Sequence, residues 1–156
     1  MEKFRSKKRY EGFSTVFRQW KADDTHCSKL HGYDVYFDVT FQGDLDHRNW
    51  VADFGILKRA KTKIDGMNAK EWMDYMFDHT LIVAEDDPCL PLFKTLANVE
   101  NKAAQIIILP SVGAEQFAKY IYEKLDAFIQ EETAGRVHVV QVQFFENHKN
   151  SAIYGE

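Results

Sequence analysis

One run of residues, His31 to Gln42, limits what this chain can fold into more than any other. His31, Tyr33, Val35, Phe37, Val39 and Phe41 share one parity, and Gly32, Asp34, Tyr36, Asp38, Thr40 and Gln42 share the other. Successive side chains of a β-strand point to opposite faces, so this run is a strand with one apolar face that must be covered. Gly43-Asp44 ends it. Val137 to Phe145 repeats the pattern, with Val140, Val142 and Phe144 on one parity and Glu146 next on the same parity. Asn147 to Asn150 reads as a tight turn and Ser151 to Tyr154 as the returning strand. Lys3 to Arg18, mixing aromatic, β-branched and basic residues, predicts a further strand, with Gly12 marking a bulge or bend.

The cover is helical. In Ala114 to Glu132, the residues Phe117, Ile121, Leu125 and Phe128 form one stripe on a helix surface. Ser111 or Gly113 stands where the cap belongs, and Gly135 suits the left-handed position after the helix. A helix from Phe54 to Ile64 with Asp53 as N-cap, and another capped by Asn68 and running through Trp72, Tyr75 and Met76, are also expected. Trp20 to Leu30 reads as a loop. Val83 to Asn101, with EDDP and Pro91, reads as a loop holding one short helix, and Ile106 to Leu109 as a short buried strand or extended segment. The order strand, strand, helices, strand, strand predicts an α+β fold: a four-stranded antiparallel sheet with helices on one face. Pairing with other subunits is one way to close the open sheet edges of so small a chain.

With 156 residues, 45% of them hydrophobic and 14% aromatic, the chain suits one packed domain, 1–156. The net charge is −4 and the cations are dispersed. The basic cluster Arg5-Ser6-Lys7-Lys8-Arg9 leads into a strand and reads as a solvated edge, so no nucleic-acid partner is expected. No apolar run approaches the ~18–20 residues of a membrane span. MEKFRSKKRYEG lacks the apolar stretch of a signal peptide. Cys27 and Cys89 are the only cysteines, which fits free thiols in a reducing, cytoplasmic setting.

The chemistry-bearing stretch is THCSKLHGYDVYFDV, which holds His26, Cys27 and His31 just ahead of the alternating strand. On the residues alone these are either ligands and a base or polar residues near a turn. They complete no recognised metal spacing, and His26 reads as a loop histidine. Cys27 reads equally as a small buried residue or as a reactive thiol, and Glu146 as an acid at the end of a strand.

Several patterns, in order along the chain, carry a resemblance: GFSTVFR, HCSKLHGY, WVADFGILK, FDHTLI, the helix start at Glu115, and FFENHKNSAIY. Together they resemble the 6-pyruvoyl-tetrahydropterin synthase family, which includes the 6-carboxytetrahydropterin synthases of queuosine biosynthesis. The resemblance implies the tunnelling fold, in which strands from several subunits join into a barrel with active sites between subunits. It implies a homo-oligomer, usually a hexamer of two trimers. It implies a pterin-like substrate, 7,8-dihydroneopterin triphosphate, whose side chain is cleaved by a lyase. By the same alignment Cys27 is the general base, Asp78 and His79 are the acid/base pair, Glu146 anchors the pterin ring, and Glu115 is a second glutamate at a helix start. A thiolate can take a proton, and a carboxylate can accept two parallel N–H bonds from an aminopyrimidinone edge.

The pattern departs from the family at the metal. The family's zinc site takes one histidine from the first strand and two from an H-G-H on the second. Here the second motif reads His31-Gly32-Tyr33, and the first-strand position is Phe17. A phenylalanine cannot ligate zinc and a tyrosine rarely does. Three outcomes stay open. Zinc is lost and His31 is a hydrogen-bonding residue; or zinc persists with His26 joining His31 and Cys27 or His148; or the pocket binds a pterin without lyase chemistry. The segment from Met67 to Pro110 exceeds that of compact family members, and Gly113-Ala114 stand where a threonine would precede Glu115.

Overall fold

The computed structural model describes residues 4–156; the expected strand start at Lys3 lies outside them. In chain order the elements are β1 (Phe4–Phe17), β2 (His31–Gly43), α1 (Ile56–Arg59), β3 (Lys63–Ile64), β4 (Met67–Asn68), α2 (Ala69–Phe77), β5 (Thr80–Ala84), α3 (Leu90–Asn98), β6 (Gln105–Leu109), α4 (Ala114–Glu132), β7 (Val137–Phe145) and β8 (Ser151–Gly155). A short 3-10 turn, His26–Ser28, lies between β1 and β2.

β1 and β2 pair antiparallel, with Phe4 opposite Gly43 and Phe17 opposite His31. The register slips between Tyr10 and Phe13, where Gly12 takes φ 87°. This is the expected bulge, and it turns both Tyr10 and Phe13 inward. β7 pairs antiparallel with β2, and β8 with β7. These are the four long strands expected from the sequence.

The sheet itself is larger and mixed, with six strands in the order β6-β5-β1-β2-β7-β8. β5 runs parallel to β1 at Thr15 and Val16, and β6 runs parallel to β5. The four-stranded, wholly antiparallel expectation is therefore corrected. Thr80-Leu81-Ile82-Val83-Ala84 has no alternation to read, because all five residues are buried; strands covered on both faces are continuously apolar. For the same reason the helices do not all lie on one face. Ile82 joins the main core, while Leu81 and Val83 pack with Phe93 of α3.

The main core lies between the sheet and α2 and α4. Phe13, Phe17, Phe37, Phe77, Phe117 and Phe144 form one aromatic cluster, each at most 1% exposed. The stripe Phe117, Ile121, Leu125 and Phe128 is buried as expected, and each such side chain contributes about 2 kcal/mol of transfer free energy. The expected helix over 54–64 contracts to the single turn of α1. A small hairpin follows it, turning at Asp65 and Gly66, both with positive φ; Asp-Gly is a strong turn signal that ends any helix reaching it. Asp53 accepts the Gly55 N–H at 2.8 Å, and Asn68 caps α2 by accepting the Lys70 N–H at 2.9 Å.

Candidate functional site

One end of the sheet collects most of the singled-out residues. There the C-terminal end of β1, the N-terminal end of β2, the end of β7 and the start of α4 meet. His31, Tyr33, Tyr36, Glu146, Asn147 and His148 line a cleft of about 470 Å³. Asn147 builds its wall by accepting the Lys149 and Asn150 N–H groups at 2.8 and 2.9 Å. The Glu146 N–H closes the turn on the Asn150 carbonyl at 3.1 Å.

Glu146 is half-buried, and burial, then the neighbouring Glu115 carboxylate, push its pKa upward, while His31 opposes them. Glu115 itself is exposed in the first turn of α4, where a carboxylate also favours the helix N-terminus. Tyr33 is held strongly neutral by burial, then by the charges of Glu146 and Cys27. Tyr33 thus lies near both the ring-anchor candidate and the thiol. The His31 Nδ1 lies 3.1 Å from the Lys29 carbonyl. In that contact Nδ1–H donates to the carbonyl.

Cys27 sits in the 3-10 turn. Its N–H bonds the Thr25 Oγ1 at 3.1 Å, and its carbonyl accepts the Gln19 N–H at 2.9 Å. His26, on the same turn, is exposed.

Asp78 and His79 lie elsewhere, between α2 and β5. The His79 Nδ1 is 3.0 Å from Asp78 Oδ1, so the two adjacent side chains are in contact. Burial works against Asp78 ionising, but the Ser14 N–H at 3.1 Å, His79 and Lys70 outweigh it and hold its pKa low. His79 takes φ 57°, its N–H bonds the Ser14 carbonyl at 2.6 Å, and its side chain is 86% exposed. No hydrogen bond among the described residues joins this pair to Cys27 or Glu146 within one chain. The role of Ser14 in orienting Asp78 was invisible in the sequence, because it is a main-chain contact between distant segments.

Aromatic rings stand at the positions where the resemblance implies zinc ligands. Phe17 and Tyr33 stack with centroids 4.1 Å apart and planes 10° from parallel. Phe117 packs edge-on to Phe17 at 5.0 Å, and His31 lies 4.3 Å from the Tyr33 ring. No group of three His, Cys, Asp or Glu among the described residues is placed to hold a metal ion. Of the three-imidazole set only His31 is present, and the residues do not fit that zinc site.

The sequence profile of the family described as 6-pyruvoyl tetrahydropterin synthase matches residues 6–156. The chain belongs to that family. It is 30% identical over 163 aligned positions to a 6-carboxy-5,6,7,8-tetrahydropterin synthase of Aquifex aeolicus, covering 92% of this chain and 93% of the relative. A synthase of the same description from Rickettsia typhi is 36% identical over 62 residues, 39% of each chain. Among solved structures, an uncharacterized protein of Wolinella succinogenes superposes with a TM-score of 0.78 at 21% identity, covering 100% of this chain and 99% of that one. The Caenorhabditis elegans 6-pyruvoyl tetrahydropterin synthase superposes at 0.60 with 19% identity, covering 100% and 97%. These likenesses establish the synthase fold.

Proposed function

We propose that this chain is a pterin-site enzyme of the 6-carboxytetrahydropterin synthase type. With water it takes 7,8-dihydroneopterin triphosphate to 6-carboxytetrahydropterin, the queuosine precursor, releasing triphosphate and the two outer side-chain carbons as acetaldehyde, as a cytoplasmic homo-oligomer, a hexamer by family analogy. The observation that carries the reading is Glu146, a partly buried carboxylate in a cleft beside His31 and Tyr33. In its ionised form it accepts two N–H bonds from the aminopyrimidinone edge of the ring. The Cys27 thiolate then takes a proton from the substrate side chain, and the Asp78–His79 pair, contributed by a neighbouring subunit, carries the complementary transfer. Asp78 fixes the tautomer and orientation of His79 through Nδ1.

The Phe17–Tyr33 stack favours a second reading: a pterin- or purine-binding oligomer without zinc whose catalysis is lost or changed. Where the family's metal would polarise the side-chain oxygens, this chain offers an aromatic wall and one phenol. The deciding experiment combines calorimetric binding of 7,8-dihydroneopterin with product analysis after incubation with its triphosphate. Binding with conversion supports the synthase. Binding without conversion moves the assignment to the second reading, and no binding removes both.

A further inference from the structure

Arg18 directly follows the last residue of β1. Phe17 is buried in the main core, so alternation sends Arg18 to the other side of the sheet, where its guanidinium lies 5.9 Å from the Phe93 ring of α3. There it holds Asp87 by two bonds, Nε to Oδ2 at 2.9 Å and Nη2 to Oδ1 at 2.6 Å. Its remaining arm, Nη1, donates to the Ser28 carbonyl at 3.1 Å, one residue beyond Cys27. The pair is withdrawn from water, at 18% and 1% side-chain exposure. Asp87 is itself fixed, because Oδ1 also accepts the Cys89 N–H at 2.8 Å. Asp86 extends the grip: it accepts the Trp20 Nε1–H at 3.1 Å and pairs with Lys21 at 3.1 Å.

We propose that the Asp86-Asp87 segment between β5 and α3 positions Cys27, with the Arg18–Asp87 pair fixing the turn that presents the thiol. The inference rests on Cys27 being the base of the proposed reaction. A pair serving stability alone needs only the two bonds to Asp87. Here the planar fork carries a third bond to the main chain beside the thiol, a geometry that a lysine cannot reproduce. The ring anchor Glu146 stands just beyond the end of β7 and has no hydrogen bond to this clamp among the described residues. The clamp therefore acts on Cys27 and not on ring binding.

The test uses Arg18→Lys in a Cys89→Ser background, so that Cys27 is the only thiol. Iodoacetamide labelling of Cys27, followed by peptide mass, is expected to accelerate about tenfold, the factor attached to one charge-assisted hydrogen bond. On the triphosphate, kcat is expected to fall by about the same factor, with KM and calorimetric 7,8-dihydroneopterin affinity unchanged. Asp86→Ala, at a more exposed position, tests the same clamp without disturbing the buried pair and shifts labelling in the same direction by less. Labelling unchanged or slowed in both variants overturns the proposal. So do parallel losses of kcat and ring affinity, which mark general loosening. Absence of turnover in the parent protein removes the lyase reading and leaves the clamp to be decided by the labelling rates.

Discussion

Phe17 and Tyr33 lie face to face, 4.1 Å between ring centroids, across the β1–β2 pair. By the resemblance drawn from the sequence, both occupy positions where the family pattern places imidazoles. A fully buried phenylalanine against a half-buried tyrosine replaces two ligands with packing energy. The expected metal content of the untagged protein is accordingly far below one zinc per chain, by plasma mass spectrometry. Phe17→His with Tyr33→His returns two imidazoles beside His31 and is expected to bind about one zinc. Without metal, that double variant is expected to melt lower, by about 3 kcal/mol for the lost buried ring. One zinc in the parent protein would instead mean that His31 recruits His26, Cys27 or His148.

Glu146→Ala is expected to abolish ring binding while leaving assembly intact. Loss of a bidentate charge-assisted contact is worth about 3 kcal/mol, more than a hundredfold in affinity. Calorimetry with 7,8-dihydroneopterin, beside light scattering for the assembly, checks both halves; unchanged affinity would sink the ring-anchor assignment.

Glu146 also predicts a pH signature of the unliganded fold. Its pKa in the folded protein is raised by burial and Glu115, above an unfolded value of about 4.3. The folded state therefore favours the protonated form. Stability is complete below the unfolded value and is lost as pH rises through the folded one. Glu146→Gln cannot ionise, so it is expected to melt higher than the parent at neutral pH and equally at pH below about 4. Equal melting at neutral pH would show that the carboxylate carries no strain.

His79 holds a left-handed backbone with φ 57°, a conformation that glycine adopts without the side-chain clash. With its ring 86% exposed, little packing is at stake. His79→Gly is expected to melt no lower than the parent while losing turnover, with ring affinity retained. Calorimetry and product analysis on one preparation read all three; a large drop in melting temperature would make His79 structural.

Arg18 and Asp87 set an acid limit. Asp87 is held below the usual carboxylate range by the Arg18 guanidinium, so its contribution is present above the unfolded pKa of about 3.9 and is lost as pH falls through the folded value. Asp87→Asn leaves a buried guanidinium unpaired and is expected to cost about 3–5 kcal/mol. Denaturant titration at neutral pH and in acid checks it: the deficit shrinks in acid.

The strands with one apolar face were legible, because such a face writes itself as alternation: His31 to Gln42 and Val137 to Phe145 needed no other signal. β5 was not, since Thr80 to Ala84 is covered on both faces and shows only a short apolar run. α3 was half seen, its length hidden by Pro91, which sits harmlessly in the first turn of a helix. At the site, residue types in order pointed to Cys27, Glu146 and the Asp78–His79 pair. What the stretch could not show was contact: the stacking of Phe17 on Tyr33, and the reach of Arg18 to Asp87, join segments far apart in sequence.

The order β1-β2-β7 also has a consequence in time. During synthesis the β1–β2 hairpin is complete long before its neighbour exists, because β7 follows β2 by about ninety residues, several seconds or more at ribosomal speed. For that interval Phe37, Val39 and Phe41 have neither α4 nor β7 against them. The nascent chain displays a bare aromatic face and an unpaired strand edge together, which makes it a client for chaperones that hold extended apolar segments, whatever the stability of the finished protein.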